Sequence, residues 1–241
     1  MPSLEVITSL VIISVAGLIH ASFQMSVSML TLLSSHTIGS KRSQSRLVLL
    51  TNAFVFGAAV AIFMMLATMA LIWSLLITVV NVHLLWIICC GLLLGLGVAV
   101  WLFYYRRQAG TTLWIPRSLA RFLASRAKAT KQTAEAFALG LTGVVAEILF
   151  IIVPVALASL VLVQLSAFWQ AIGIIVYLVT SLLSLLIVNG LIGRGHSIGR
   201  IQRWRENNKH FLQFAAGSGL VVLGIYVYVE KVMTIATAVA R

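Results

Sequence analysis

Residues 136–163 read AFALGLTGVVAEILFIIVPVALASLVLV, with a single charge, Glu147, near the middle and one proline, Pro154, seven residues beyond it. About 20 apolar residues are enough to cross the roughly 30 Å hydrocarbon layer of a bilayer as a helix. The stretch therefore reads as a membrane span carrying a carboxyl at depth. Five more stretches have the same character, at about 4–34, 47–80, 83–105, 167–193 and 211–232. The composition agrees: of 241 residues 61% are apolar and 9% charged, against about 25% charged in an ordinary soluble domain. A soluble monomer is excluded. The expected fold class is all-α integral membrane, with six transmembrane helices.

The charges give an orientation. Seventeen Lys and Arg face five acids, a formal net charge of +12. Lys41, Arg42 and Arg46 lie between spans one and two. Arg106, Arg107, Arg117, Arg121, Arg126, Lys128 and Lys131 lie between three and four, and Arg194, Arg200, Arg203, Arg205 and Lys209 between five and six. Only Lys231 and Arg241 fall elsewhere. Short loops rich in Lys and Arg stay in the cytoplasm. This places the three basic loops inside and both termini outside; the expected location is the cytoplasmic membrane of a prokaryote. Anionic lipid headgroups at those loops account for the basic excess, and no nucleic-acid partner is expected. Segment 113–131, with Leu113, Trp114, Ile115, Leu119, Phe122 and Leu123 among arginines and Pro116 in its first turn, has the pattern of an amphipathic helix on the cytoplasmic leaflet. The first span has Glu5 and no basic residue before its apolar run, so it does not read as a cleaved leader.

Three spans precede the basic segment 106–135 and three follow it, dividing the chain into units at 1–105 and 136–241. An odd number of spans per half gives the halves opposite senses across the membrane, as in transporters built from inverted repeats. Residues 17–25, GLIHASFQM, can be laid on residues 140–148, GLTGVVAEI, without a gap, which pairs Gln24 with Glu147.

A carboxyl at bilayer depth costs a few kcal/mol even on the mildest insertion scales, and a low-dielectric surrounding favours its neutral form. Glu147 is thus read either as a substrate-binding or proton-coupling group or as an acid that fastens helices together. On a continuous helix Gly143, Glu147 and Pro154 share a face, and Pro154 removes a backbone hydrogen bond and can kink the span. In the first span His20, Gln24 and Ser28 fall on one face. Asn52, with Thr51, in the second span, and Thr180, Ser181, Ser184 and Asn189 in the fifth, would complete a polar interior. No resident metal is expected, since the first span offers one His and no carboxylate or thiolate at ligand spacing. No cofactor and no enzymatic activity are expected either. Cys89 and Cys90 read as packing thiols, and Gly91, Gly95 and Gly97 as a close helix contact.

Four stretches carry a resemblance. Ala16-Gly17-Leu18 through Ile38-Gly39 is similar in length and placement to the first span of the CcdA group. Arg46 through Phe63, with Phe54-Val55-Phe56-Gly57, resembles its second-span opening, and Phe137-Ala138-Leu139-Gly140 its fourth. Gly91 through Gly97 is similar to its third span. Together these resemble the lysine-exporter (LysE-like) superfamily of six-span proteins, which includes the DsbD/CcdA transmembrane domain and the nickel–cobalt transporters. The resemblance implies two inverted three-helix repeats with a site between them. Where the thiol-conducting members have Pro-Cys, this chain has Gln24-Met25 and either Ala146-Glu147 or Glu147-Ile148, so the resemblance does not extend to a dithiol relay. Gly17-Leu18-Ile19-His20-Ala21 is similar to the start of the nickel–cobalt motif, of whose ligands only His20 is retained. The expected function is a secondary transporter or exporter of a small solute or ion. Its binding group would be drawn from Glu147, Gln24, His20, Ser28, Asn52, Thr180, Ser181 and Pro154. The alternative is a non-transporting subunit of a larger membrane complex, and a homodimer is compatible with either.

Overall fold

The computed structural model describes residues 3–23, 28, 30, 33, 44–103, 117–194, 203–204 and 207–233. Gln24 and the start of the amphipathic segment, 113–116, lie outside them. Among the described residues there is helix and no strand. The helices are α1 (Leu4–Ser22), α2 (Gln44–Leu76), α3 (Val82–Phe103), α4 (Arg117–Ala129), α5 (Thr133–Ala146), α6 (Ile148–Leu162), α7 (Ala167–Ser181), α8 (Leu183–Gly193) and α9 (Lys209–Val227). The last continues as a π-helical segment, Tyr228–Met233.

Four helices are each long and apolar enough to cross a membrane: Leu4–Ser22, Ser45–Leu76, Val82–Phe103 and His210–Met233. Two further pairs qualify only together. α5 and α6 meet at an 83° bend, and α7 and α8 at 54°. The outer faces are apolar, as lipid contact requires: Leu71 is 61% exposed, Leu102 65% and Val222 66%. In lipid, apolar exposure does not drive helices together, so close backbone approach through small residues has to do so. α2 crosses α5 where Gly57 lies against the Phe137 carbonyl and Gly140 against the Phe54 carbonyl. α1 crosses α7 where Gly17 lies against Thr180 and the Tyr177 carbonyl. α3 crosses α9 at Gly97 and Gly217, with Trp101 stacked on Phe214 and its Nε1 donating to the Phe214 carbonyl at 3.2 Å. Of the three glycines expected to pack span three, only Gly97 does so. A Cβ on Gly91 or Gly95 would meet nothing within 4 Å.

The amphipathic segment folds as α4 and lies along α5. Leu123 and Ala127 are buried, and Arg126 sits over the Phe122 ring at 5.4 Å. The turn into α5 is pinned by Glu135, whose carboxylate accepts from the backbone N–H of Lys131 at 2.7 Å and of Gln132 at 3.1 Å. Arg46, at the start of α2, donates to the Lys131 carbonyl at 3.2 Å. These contacts collect the basic ends of α2, α4 and α5 at one end of the bundle. Cys89 and Cys90 are both buried, as expected of packing thiols.

Candidate functional site

Pro154 does not make the bend. α6 runs through it without interruption, and the 83° break falls at Glu147, the single residue between α5 and α6. Glu147 adopts φ −89° and ψ 0°, the sparsely populated bridge region in which active-site residues are often found. Its N–H bonds the Val144 carbonyl of α5 at 3.0 Å. Its own carbonyl accepts from Phe150 and Ile151 of α6 at 2.9 and 3.2 Å. One residue thus closes one helix and opens the next. The common face expected for Gly143, Glu147 and Pro154 does not exist, because the helix turns between the second and third of them.

Two other chain breaks lie at the same place. α1 ends at Ser22, where Phe23 turns to extended backbone and its N–H returns to the His20 carbonyl at 3.1 Å. Phe23 then stacks on Phe150 of the first turn of α6, ring centroids 5.7 Å apart. α7 ends at Ser181, and α8 begins after Leu182. Ser184 Oγ donates across to the Ala21 carbonyl at 2.6 Å, tying the start of α8 to the end of α1. Between these ends is a cavity of about 10 Å³, space for one water. His20, Glu147, Ser181 and Ser184 supply its polar lining, with Phe23 and Ile62 among its apolar walls. Glu147 is 4% exposed, as is His20. His20 Nδ1 lies 3.0 Å from the Tyr177 hydroxyl, both groups buried.

Of the residues expected at the site, Glu147, His20 and Ser181 converge on this cavity. Ser181 Oγ also bonds its own helix at the Leu178 carbonyl, 3.2 Å. Thr180 turns to its own backbone as well, at 2.8 Å from the Val176 carbonyl, and packs on Gly17. Asn52 pairs with Asn189 at 2.7 Å, nearer the basic end of the bundle than the cavity and outside its lining. Pro154 is buried within α6, also outside the lining. Ser28 follows the break after α1, so it does not share a continuous helical face with His20. Tyr177 was not among the expected residues. Its spacing is a signal in the sequence, since Tyr177, Ser181 and Ser184 fall at i, i+4 and i+7 along the fifth span.

Among the described residues no three His, Cys, Asp or Glu side chains group as a metal site. Comparison with protein-family models, with curated proteins and with solved structures finds no match. Fold and site together define a class: an all-helical, membrane-type protein whose broken helices meet at a buried carboxyl.

Proposed function

We propose that the protein is a secondary transporter, an exporter of a small solute or ion, that works by alternating access between two inverted three-helix halves, with Glu147 as its binding or coupling group. The observation that carries this reading is the meeting of three helix breaks on one cavity lined by a buried carboxyl. Non-helical backbone at membrane depth is tolerated where it is buried in protein or lines a cavity. Discontinuous helices at the midplane are how many transporters present backbone groups and charge to cargo.

The packing supports the two-half reading. Gly17 approaches the Tyr177 carbonyl, and Gly140 approaches the Phe54 carbonyl. Gly17 and Gly140 are 123 residues apart, and so are Phe54 and Tyr177. α1 and α5 end within one residue of that same offset, at Ser22 and Ala146. Each bent pair then counts as one span, giving six, with units at 1–105 and 136–241 joined by 106–135.

The cavity holds no more than one water, so a transporter would have to widen it to admit cargo. Toward the start of α1 lies a fully buried apolar layer that includes Ile13, Ala16 and Leu157. Toward the basic end lies the Asn52–Asn189 pair. The small size of the cavity also favours the second reading, a sealed subunit of a larger membrane complex, and one experiment separates them. With Cys89 and Cys90 replaced by Ala, a Ser184→Cys variant is expected to react with a membrane-impermeant maleimide added to either side of the membrane in turn. Reaction from neither side, with Ser181→Cys equally silent in folded protein, selects the sealed subunit.

The charge distribution of the loops supports an orientation with the 106–135 segment in the cytoplasm and both termini outside, and the membrane proposed is a prokaryotic plasma membrane with anionic headgroups at the basic face. A fluorescent protein inserted in 106–116 is expected to glow, and alkaline phosphatase inserted at 164–166 to be active. The opposite pattern would invert the orientation.

A further inference from the structure

At the end of the bundle away from α4 is a second, larger cavity of about 310 Å³. It is formed by the start of α1, the start of α3, the α6–α7 turn and the π-helical segment. The volume is at the lower end of the range for small-ligand sites. It is about ten waters' worth of liquid. Ser9 is separated from His20 by three turns of α1, about 16 Å of rise, and the buried Ile13 and Ala16 lie between them. The cavity is therefore distinct from the one at Glu147.

Its lining combines both charge signs with buried donors. Glu5 and Lys231 both face it, and no ion pair joins them. Ser9, 4% exposed, and Trp86, 1% exposed, also line it. Neither the Ser9 hydroxyl nor the Trp86 indole N–H bonds another described residue, and both open onto the cavity. Two donors on one cavity wall are thus available to whatever acceptor enters it, water or a ligand anion. Gln164 commits its Nε2 to the Leu160 carbonyl at 2.9 Å, leaving its Oε1 as an acceptor. Trp169 adds an indole wall, a surface that attracts an ammonium group.

We infer that this cavity binds a small zwitterion, a molecule with an ammonium group and an anionic group a few atoms apart. Glu5, Gln164 Oε1 and the Trp169 ring suit the ammonium. Lys231, the Ser9 hydroxyl and the Trp86 N–H suit the anion. A singly charged ligand satisfies one of the two charged walls and is repelled by the other, whereas a zwitterion satisfies both. The same chemistry is offered by a soluble solute and by the headgroup of a zwitterionic lipid.

The test is calorimetric titration of the full chain in phosphatidylglycerol nanodiscs, which hold no zwitterionic lipid. The probes are glycine, β-alanine and γ-aminobutanoate, with propylamine and propanoate as singly charged comparisons. At least one zwitterion is expected to bind saturably, tenfold or more tighter than either comparison. Glu5→Gln and Lys231→Gln each weaken it tenfold or more, and Ser9→Val weakens it less. The exchange Glu5→Lys with Lys231→Glu restores binding, because a zwitterion can reverse in the site. Repeating the titration in phosphatidylethanolamine nanodiscs identifies the source. Unchanged affinity marks a soluble ligand, and loss of apparent affinity marks a lipid headgroup already in place. Singly charged probes binding as well as the zwitterions would overturn the inference, as would no binding to folded protein in phosphatidylglycerol. The readout involves no flux, so it stands or falls apart from the transport reading.

Discussion

Glu147→Gln is expected to abolish the charge movement that follows a pH jump across membranes holding this protein. Solid-supported membrane recording detects protons that move part of the way through the membrane field as they bind. A group at the surface crosses little of that field, whereas a mid-membrane carboxyl crosses much of it, at about 2.3 kcal/mol per elementary charge for a full 100 mV. Glu5, Glu135 and Glu230 lie near helix ends, and Glu206 falls in the basic stretch between the fifth and sixth apolar segments of the sequence, so Glu147 supplies the deep carboxyl signal. The other titratable groups at the site are His20 and Tyr177, which hold each other at 3.0 Å. A His20→Asn variant reports what the imidazole adds. The expected transient falls at least tenfold in Glu147→Gln, persists in Glu147→Asp, and changes less in His20→Asn. Glutamine keeps the volume and most of the hydrogen bonding of the acid while removing its titration. A folded Glu147→Gln variant with an unchanged transient would remove Glu147 from any coupling role. The measurement requires no knowledge of the transported solute.

Much of this arrangement is legible in the sequence, but not where the helices break. Length and hydropathy point to apolar helices, and four of them are long enough to span alone while two more stretches qualify only as bent pairs. Lipid imposes one constraint on all of them: every backbone group must be satisfied within the membrane. The helix at 117–129 was readable from its leucines and arginines. Glu147 stood out because one acid among apolar neighbours has no cheap explanation, and His20 and Ser181 were carried with it. Pro154 pointed to the wrong residue for the bend. A proline removes one N–H bond, and a buried helix absorbs that loss when its surroundings hold it straight, as α6 does. The break at Glu147 meets the end of α1 and the start of α8 at one cavity, a meeting that no local pattern encodes. The break at Leu182 left a weaker trace. Thr180 and Ser181 turn their hydroxyls onto the carbonyls of their own helix, a habit that bends helices. Gly91, Gly95 and Gly97 looked alike in sequence. Only packing distinguishes the one that faces α9 from the two that meet nothing.

That distinction leads to the largest stability effect expected of any single substitution here. The α2–α5 crossing brings backbone against backbone: a Cβ on Gly140 would land on the Phe54 carbonyl, and one on Gly57 on the Phe137 carbonyl. Neither neighbour is the end of a flexible side chain, so the helices themselves have to move apart. Overpacking of a rigid contact costs about 1–3 kcal/mol and more where the backbone must shift. In lipid the loss is compounded, since close contact is the main force holding these helices together. Gly140→Ala and Gly57→Ala are each expected to destabilise by about 3 kcal/mol or more, seen as a lowered midpoint of thermal unfolding in detergent. Gly95→Ala is the matched control. With nothing within 4 Å of the new Cβ, it gains the helix propensity of alanine over glycine, up to about 1 kcal/mol. Gly17→Ala separates the backbone part of the effect from the side-chain part, because the nearest atom to its Cβ is the Thr180 Oγ1 and the Tyr177 carbonyl stands farther off at 3.2 Å. Adding Thr180→Ala is therefore expected to recover part of the Gly17→Ala loss, while no single side-chain change recovers Gly140→Ala. Equal midpoints for Gly140→Ala and Gly95→Ala would mean that the two helices do not cross where Gly57 and Gly140 bring them together. Glu147, seven residues along from Gly140, would then have lost the contact that fixes its position.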